Sequence, residues 1–188
     1  MKNRFVVCIG IACALILCVI CSVQIWSVNK RYPDTVVKSA SYGEIVSLDG
    51  FEMRLTDVKY MDYEEIKKEY NDSISQSIYE KYSRYYEQTF VLAGIEIKNT
   101  NNEEKSIELY QTVLGNNTTS NGVDVELFGL FNEKQDLLCP ALQSGESVYV
   151  VLTYSFLNRY FKNEKVDGMW LTLSLYPEKI QLRAAWRM

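Results

Sequence analysis

Apolar and polar positions divide the chain into two unequal parts. From Phe5 to Val28 (FVVCIGIACALILCVICSVQIWSV) no side chain is charged, and these 24 residues are long enough to cross a hydrocarbon core about 30 Å thick. A polar linker follows at 29–42, and beyond it apolar residues recur with period two. Residues 43–48 read as a first strand, and Leu48-Asp49-Gly50 as a hairpin turn. Phe51, Met53 and Leu55 then alternate in one phase and Val58 and Tyr60 in the other, which predicts a β-bulge near Thr56-Asp57.

At 62–88 the period changes. Ile66, Tyr70, Ile74, Ile78 and Tyr82 recur every four residues, predicting an amphipathic helix or two helices divided at Asn71-Asp72-Ser73. Asp62 and Glu65 have the spacing of a capping box at its start, and Asp72 or Ser73 suits an N-cap for a second helix.

Strand patterns return at 89–98, where Phe90, Val91, Leu92 and Ala93 place apolar groups on both faces, as a doubly covered central strand requires. The turn cluster Asn99–Asn102 ends it. Strands are expected at 105–113 and 123–131, joined by the loop GNNTTSNG, and then at 148–156, 169–176 and 180–186. About eight strands with one helical insertion and no βαβ alternation predict an all-β antiparallel sandwich over residues 43–188.

The N-terminal stretch predicts a membrane anchor. Its apolar run exceeds that of a cleaved secretory signal, and Val19-Ile20-Cys21 and Cys21-Ser22-Val23 are poor cleavage sites. A lipoprotein signal is the second reading, although Cys18 and Cys21 follow large residues and Cys13 has Gly10 where leucine is expected. Lys2 and Arg4 precede the helix while Lys30 and Arg31 follow it, so the positive charges nearly balance. The short tail 1–4 before a large domain favours a cytoplasmic N-terminus, a single-pass transmembrane segment 5–28 and an extracytoplasmic C-terminal domain at the cell membrane. Of five cysteines, Cys8, Cys13, Cys18 and Cys21 lie in the span. Only Cys139 is left for the domain, which therefore forms no internal disulfide; its place after Leu137-Leu138 suggests partial burial.

Composition narrows the chemistry. The chain has no histidine, which removes the commonest general base and the usual zinc ligand. A net charge of -4 with no basic run argues against nucleic acid as a partner. No nucleophile elbow, dinucleotide loop, P-loop or HExxH occurs, and no CxxC lies beyond the apolar stretch. The adjacent pairs Glu64-Glu65 and Glu103-Glu104 do not converge on one bond. Asp124 and Glu126, on one face of the expected strand, have the oxygen chemistry for a hard cation, although solvated surface carboxylates are far commoner. No catalytic residue, metal site or cofactor is expected.

Three segments carry a resemblance. Tyr42-Gly43-Glu44 before a strand with Gly50-Phe51 leading to Leu55-Thr56-Asp57-Val58, the strand Val91–Lys98 ending in Asn99-Thr100, and Leu142-Gln143-Ser144-Gly145-Glu146-Ser147 occur in this order. Together they resemble a group of bacterial extracytoplasmic domains of unknown function with an immunoglobulin-like, telokin-like sandwich, with Ser144 where that group has proline. The resemblance covers most of 40–176. It implies fold and a tethered location, and it transfers no catalytic residue. The insertion 62–88 departs from the simplest pattern of that group.

Three functions stay open. A non-enzymatic tethered module would bind a protein, a peptide or a cell-wall polymer, with Tyr79, Tyr82, Tyr85 and Tyr86 of the insertion as candidate contacts. A histidine-free hydrolase would need converging carboxyl groups or a Ser-Lys pair. A structural partner of a membrane complex would pack through Gly10, Ala12 and Ala14 of the span.

Overall fold

A computed structural model of the chain describes residues 2–31, 35–70, 88–116, 118–132, 135–157 and 168–184. It separates into two units, 1–35 and 36–188. The first holds helix α1 (Lys2–Arg31). Within it the window Ala14–Arg31 has a mean hydropathy of 1.3 and none of its residues is buried. It is, among the described residues, one helix long and apolar enough to cross a membrane, a property that a signal sequence shares. Lys30 reaches back over the Trp26 ring, 5.2 Å from its centroid.

The second unit is a β-sandwich. One sheet has the order β1 (Val36–Ala40), β11 (Glu178–Ala184), β10 (Met169–Ser174), β6 (Val113–Gly115), β7 (Ser120–Gly122). The other has the order β2 (Ile45–Leu48), β3 (Phe51–Asp62), β4 (Gln88–Asn99), β9 (Ser147–Leu157). A two-residue pair joins β5 (Lys105–Ser106) to β8 (Ala141–Leu142). Met53, Leu55, Val91, Ile95, Leu152 and Tyr154 of the second sheet pack against Leu114, Leu171, Ile180 and Leu182 of the first in one buried cluster. Each such aliphatic side chain contributes roughly 1.5–3 kcal/mol on burial, so this interface holds the fold.

Local chemistry sets the second sheet as the sequence predicts. Asp49 and Gly50 both adopt positive φ, 51° and 78°, in the two-residue turn that pairs Leu48 with Phe51. A Cβ on Gly50 would stand 2.2 Å from the Asn101 side-chain oxygen, so glycine is required twice over. The bulge falls between Leu55 and Asp57, where Thr56 is the extra residue and its hydroxyl donates to the Gly94 carbonyl at 3.1 Å. Past the bulge the inward set changes from Met53 and Leu55 to Val58.

Helix α2 (Tyr63–Tyr70) starts on the expected capping box. The Glu65 N–H donates to Asp62 Oδ1 and the Asp62 N–H to Glu65 Oε2, both at 2.8 Å. Tyr63 and Ile66 pack on Met61, Phe90 and Leu92 together with Leu127 of helix α3 (Val125–Phe131). β4 is thus covered on both faces at its start. The expected helix beyond residue 70 lies outside the described residues.

Five expectations are corrected. Residues 123–131 are not a strand: Asp124 caps α3, accepting from the Leu127 N–H at 3.3 Å, and Leu127 and Phe128 are buried on that helix. The loop GNNTTSNG is instead the tip of a hairpin, with Val113–Gly115 paired to Ser120–Gly122. The strand expected at 105–113 breaks at a 3-10 turn, Leu109–Gln111. Within the expected linker 29–42, Val36–Ala40 is a strand, and it pairs with β11 in parallel, so the sandwich is not wholly antiparallel. Cys139 is exposed rather than half-buried.

Candidate binding face

The outer face of the sheet β2-β3-β4-β9 has two halves. The upper half carries Met61, Phe90, Leu92 and Val151 and lies under α2 and α3. The lower half is open, and the register defines what it shows. Ile45 pairs with Arg54, Arg54 with Glu96 and Glu96 with Tyr149, so one side chain from each of four strands forms a row. The next row contains Glu52 opposite Lys98. Opposite charges directly across strands support a register by a few tenths of a kcal/mol. Arg54 Nη2 donates to Glu96 Oε2, and both side chains are nearly half exposed, so this ion pair adds little stability. These rows line an open groove of about 440 Å³ whose walls include Ile45, Arg54, Glu96, Lys98, Val148 and Tyr149.

Gly94 marks the border between the halves. A Cβ there would lie 2.2 Å from Tyr149 Oη and 2.9 Å from Cζ, so the phenol occupies the space a side chain would fill. Tyr149 is 50% exposed. Its phenol titrates above the ordinary range, first because burial disfavours the anion and then because Asp57, Tyr42 and Glu96 oppose a further negative charge. At neutral pH it remains a hydrogen-bond donor beside an apolar ring face, next to the Arg54–Glu96 ion pair.

The β9 margin of this face is partly closed. Asn132 Nδ2 donates to the Val151 carbonyl at 2.9 Å and Asn132 Oδ1 accepts from the Val151 N–H at 3.0 Å, as a neighbouring strand would. The Asp124 N–H donates to the Thr153 carbonyl at 2.7 Å, and Asn121 Nδ2 donates to the Ser155 carbonyl. These contacts block the upper edge of the strand against pairing with other chains. They stop short of Tyr149, where the groove begins.

The tyrosines singled out from sequence, Tyr79, Tyr82, Tyr85 and Tyr86, lie outside the described residues. Asp124 and Glu126 do not share a strand face. Asp124 caps α3 and its second oxygen accepts from the Ser155 hydroxyl at 3.0 Å. Among the described residues no three or more Cys, Asp or Glu gather closely enough to hold a metal ion. The face itself was missed in the sequence because its members come from four strands and meet only through the register.

No curated protein matches the chain. Solved structures of low identity are similar to it. The yjhA protein from Bacillus subtilis is 15% identical with a TM-score of 0.41, over 71% of this chain and 78% of that one. A conserved hypothetical protein from Bacillus anthracis is 15% identical with a TM-score of 0.48, over 75% and 93%. An uncharacterized beta-sandwich protein from Clostridium difficile 630 is 12% identical with a TM-score of 0.41, over 81% and 97%. Residues 38–180 match the family described as Domain of unknown function (DUF5028), and the chain belongs to that family.

Proposed function

We propose that this protein is a non-enzymatic, membrane-anchored binding module whose sandwich stands outside the cell and takes its ligand on the open lower half of the β2-β3-β4-β9 face. The observation that carries the reading is Tyr149 laid across Gly94. A half-exposed aromatic ring beside mutually neutralised charges offers stacking area and a phenol donor at little cost in side-chain entropy, a combination enriched at contact surfaces. The ligand class is an extended, nearly neutral chain, either a peptide or a cell-wall polymer. The apolar helix α1, unburied along Ala14–Arg31, supports the anchor. An immunoglobulin-like, telokin-like subtype is supported by strand order. The set β3-β4-β9 facing β6-β10-β11 matches the A-B-E and C-F-G sets of that sandwich.

Titration of the full-length protein in nanodiscs against soluble wall-polymer fragments and against extended peptides tests the ligand site. Binding that Tyr149→Ala weakens about tenfold, roughly 1.4 kcal/mol, supports it; binding unchanged by Tyr149→Ala and by Arg54→Glu excludes this face. Location has its own test, because Cys139 is exposed on the sandwich. A membrane-impermeant maleimide should label intact cells, and Cys139→Ser should abolish the label; labelling only after lysis overturns the orientation.

A further inference from the structure

At the start of β1 the sandwich carries an apolar rim that its own core does not use. Val36 and Val37 are 59% and 56% exposed, and Leu175 and Tyr176, in the turn between β10 and β11, are 62% and 72% exposed. The register brings them to one end of one sheet. Val36 pairs in parallel with Glu178, the first residue of β11, so the turn that carries Leu175 and Tyr176 lies at the end of the sheet where the chain enters β1. Four residues, 32–35, connect Arg31 of α1 to Val36, a reach of at most about 18 Å.

We infer that this rim, Val36, Val37, Leu175 and Tyr176, rests in the headgroup layer of the bilayer that holds α1. The inference depends on the anchoring proposed above. With α1 in the bilayer, the short connection keeps the start of β1 close to the lipid surface, so contact is effectively intramolecular and needs little affinity of its own. The chemistry fits an interface rather than the hydrocarbon core. Tyrosine favours headgroup depth with its hydroxyl in water, and tryptophan, as at Trp26 near the end of α1, favours the same layer. The charges beside the rim are largely neutralised: Lys38 pairs with Glu178 at 2.5 Å and Lys105 with Asp49 at 2.8 Å. Lys179, opposite Val37 in the ladder, supplies a cation for lipid phosphate.

Depth-dependent quenching tests this. Full-length Tyr176→Trp and wild type are reconstituted in phosphatidylcholine vesicles with lipids brominated near the headgroup. The added emission of the variant, taken as the difference from wild type, should fall at least twofold. Unquenched added emission from a chain that floats with the vesicles overturns the rim contact while leaving the anchor in place. Failure of the chain to float with the vesicles overturns the anchor, and the rim contact with it. Concentration-dependent crosslinking through the rim without quenching would assign it to a second copy of the chain and also overturn lipid contact.

Discussion

Asn99 and Leu142, 43 residues apart, are joined by a buried hydrogen bond of 2.7 Å from Asn99 Nδ2 to the Leu142 carbonyl. The same nitrogen donates to the Glu103 carbonyl at 2.8 Å, and Asn99 Oδ1 accepts from the Asn101 N–H at 2.9 Å. The Asn99 main chain holds Gly145 and Glu146, each at 2.9 Å. One fully buried side chain thus uses its whole amide to tie the end of β4 to the turn before β9.

Asn99→Ala therefore leaves one buried carbonyl, one partly buried carbonyl and one N–H without this partner. The expected loss is about 2–4 kcal/mol, read as a lower midpoint of unfolding in urea with an unchanged slope. Thr100→Val, which removes only the exposed hydroxyl bond to the Gly50 carbonyl at 2.7 Å, should cost well under half as much. Equal losses for the two variants would refute the central role of the buried amide.

The parts of the fold legible in the sequence are those fixed by neighbours in the chain. The Asp49-Gly50 turn, the bulge at Thr56 and the Asp62–Glu65 box each need only a few adjacent residues to specify them. Helix α3 is different. Val123, Val125 and Leu127 alternate as well as any strand, and the Asp124 cap together with packing of Leu127 against Phe90 and Leu92 selects the helix. Strand β1 was hidden for another reason: its partner lies 140 residues away, as the Lys38–Glu178 contact shows. The candidate face is equally non-local. Gly94 in the sequence looks like an interruption of an apolar strand, and its purpose emerges only when Tyr149 of β9 is laid over it.

Alkaline pH should report on the core through Tyr154. Its hydroxyl is buried and lies 2.7 Å from the Thr112 hydroxyl, which itself donates to the Leu109 carbonyl at 2.8 Å, so Tyr154 is the donor in the shared bond. Burial pushes the phenol well above its ordinary value of 10.0. The unfolded chain releases this proton above about pH 10 while the folded one retains it. The contribution is therefore intact below that pH, and stability falls above it by about 1.4 kcal/mol per pH unit for this one group. Tyr154→Phe should lower stability at neutral pH by about 0.5–1.5 kcal/mol and flatten the alkaline slope by one proton. An unchanged slope would contradict the buried-phenol account.

The edge of β9 offers a test of self-association. Asn132 occupies both hydrogen-bonding groups of Val151 and also donates to the Phe128 carbonyl at 2.9 Å. Asn132→Ala should cost about 1–2 kcal/mol and open the edge to other strands. Sedimentation in detergent micelles should then show dimers or larger species that wild type lacks. A variant destabilised to that extent yet strictly monomeric would show that Asn132 holds α3 without guarding the edge.

Gly94 and Tyr149 should prove coupled, and the coupling separates shape from charge on the proposed binding face. Gly94→Ala forces a methyl group into the space of the phenol, which must swing away or push the strands apart. Overpacking of this kind costs about 1–3 kcal/mol. Tyr149→Ala removes the obstacle, so the same glycine substitution made in that background should cost less than about 0.5 kcal/mol, or even stabilise an extended strand that no longer needs glycine. A double-mutant cycle from urea unfolding measures the difference. Additive effects would mean that the ring does not rest on the Gly94 backbone in solution. The face would then lack the fixed aromatic platform on which its binding role is argued.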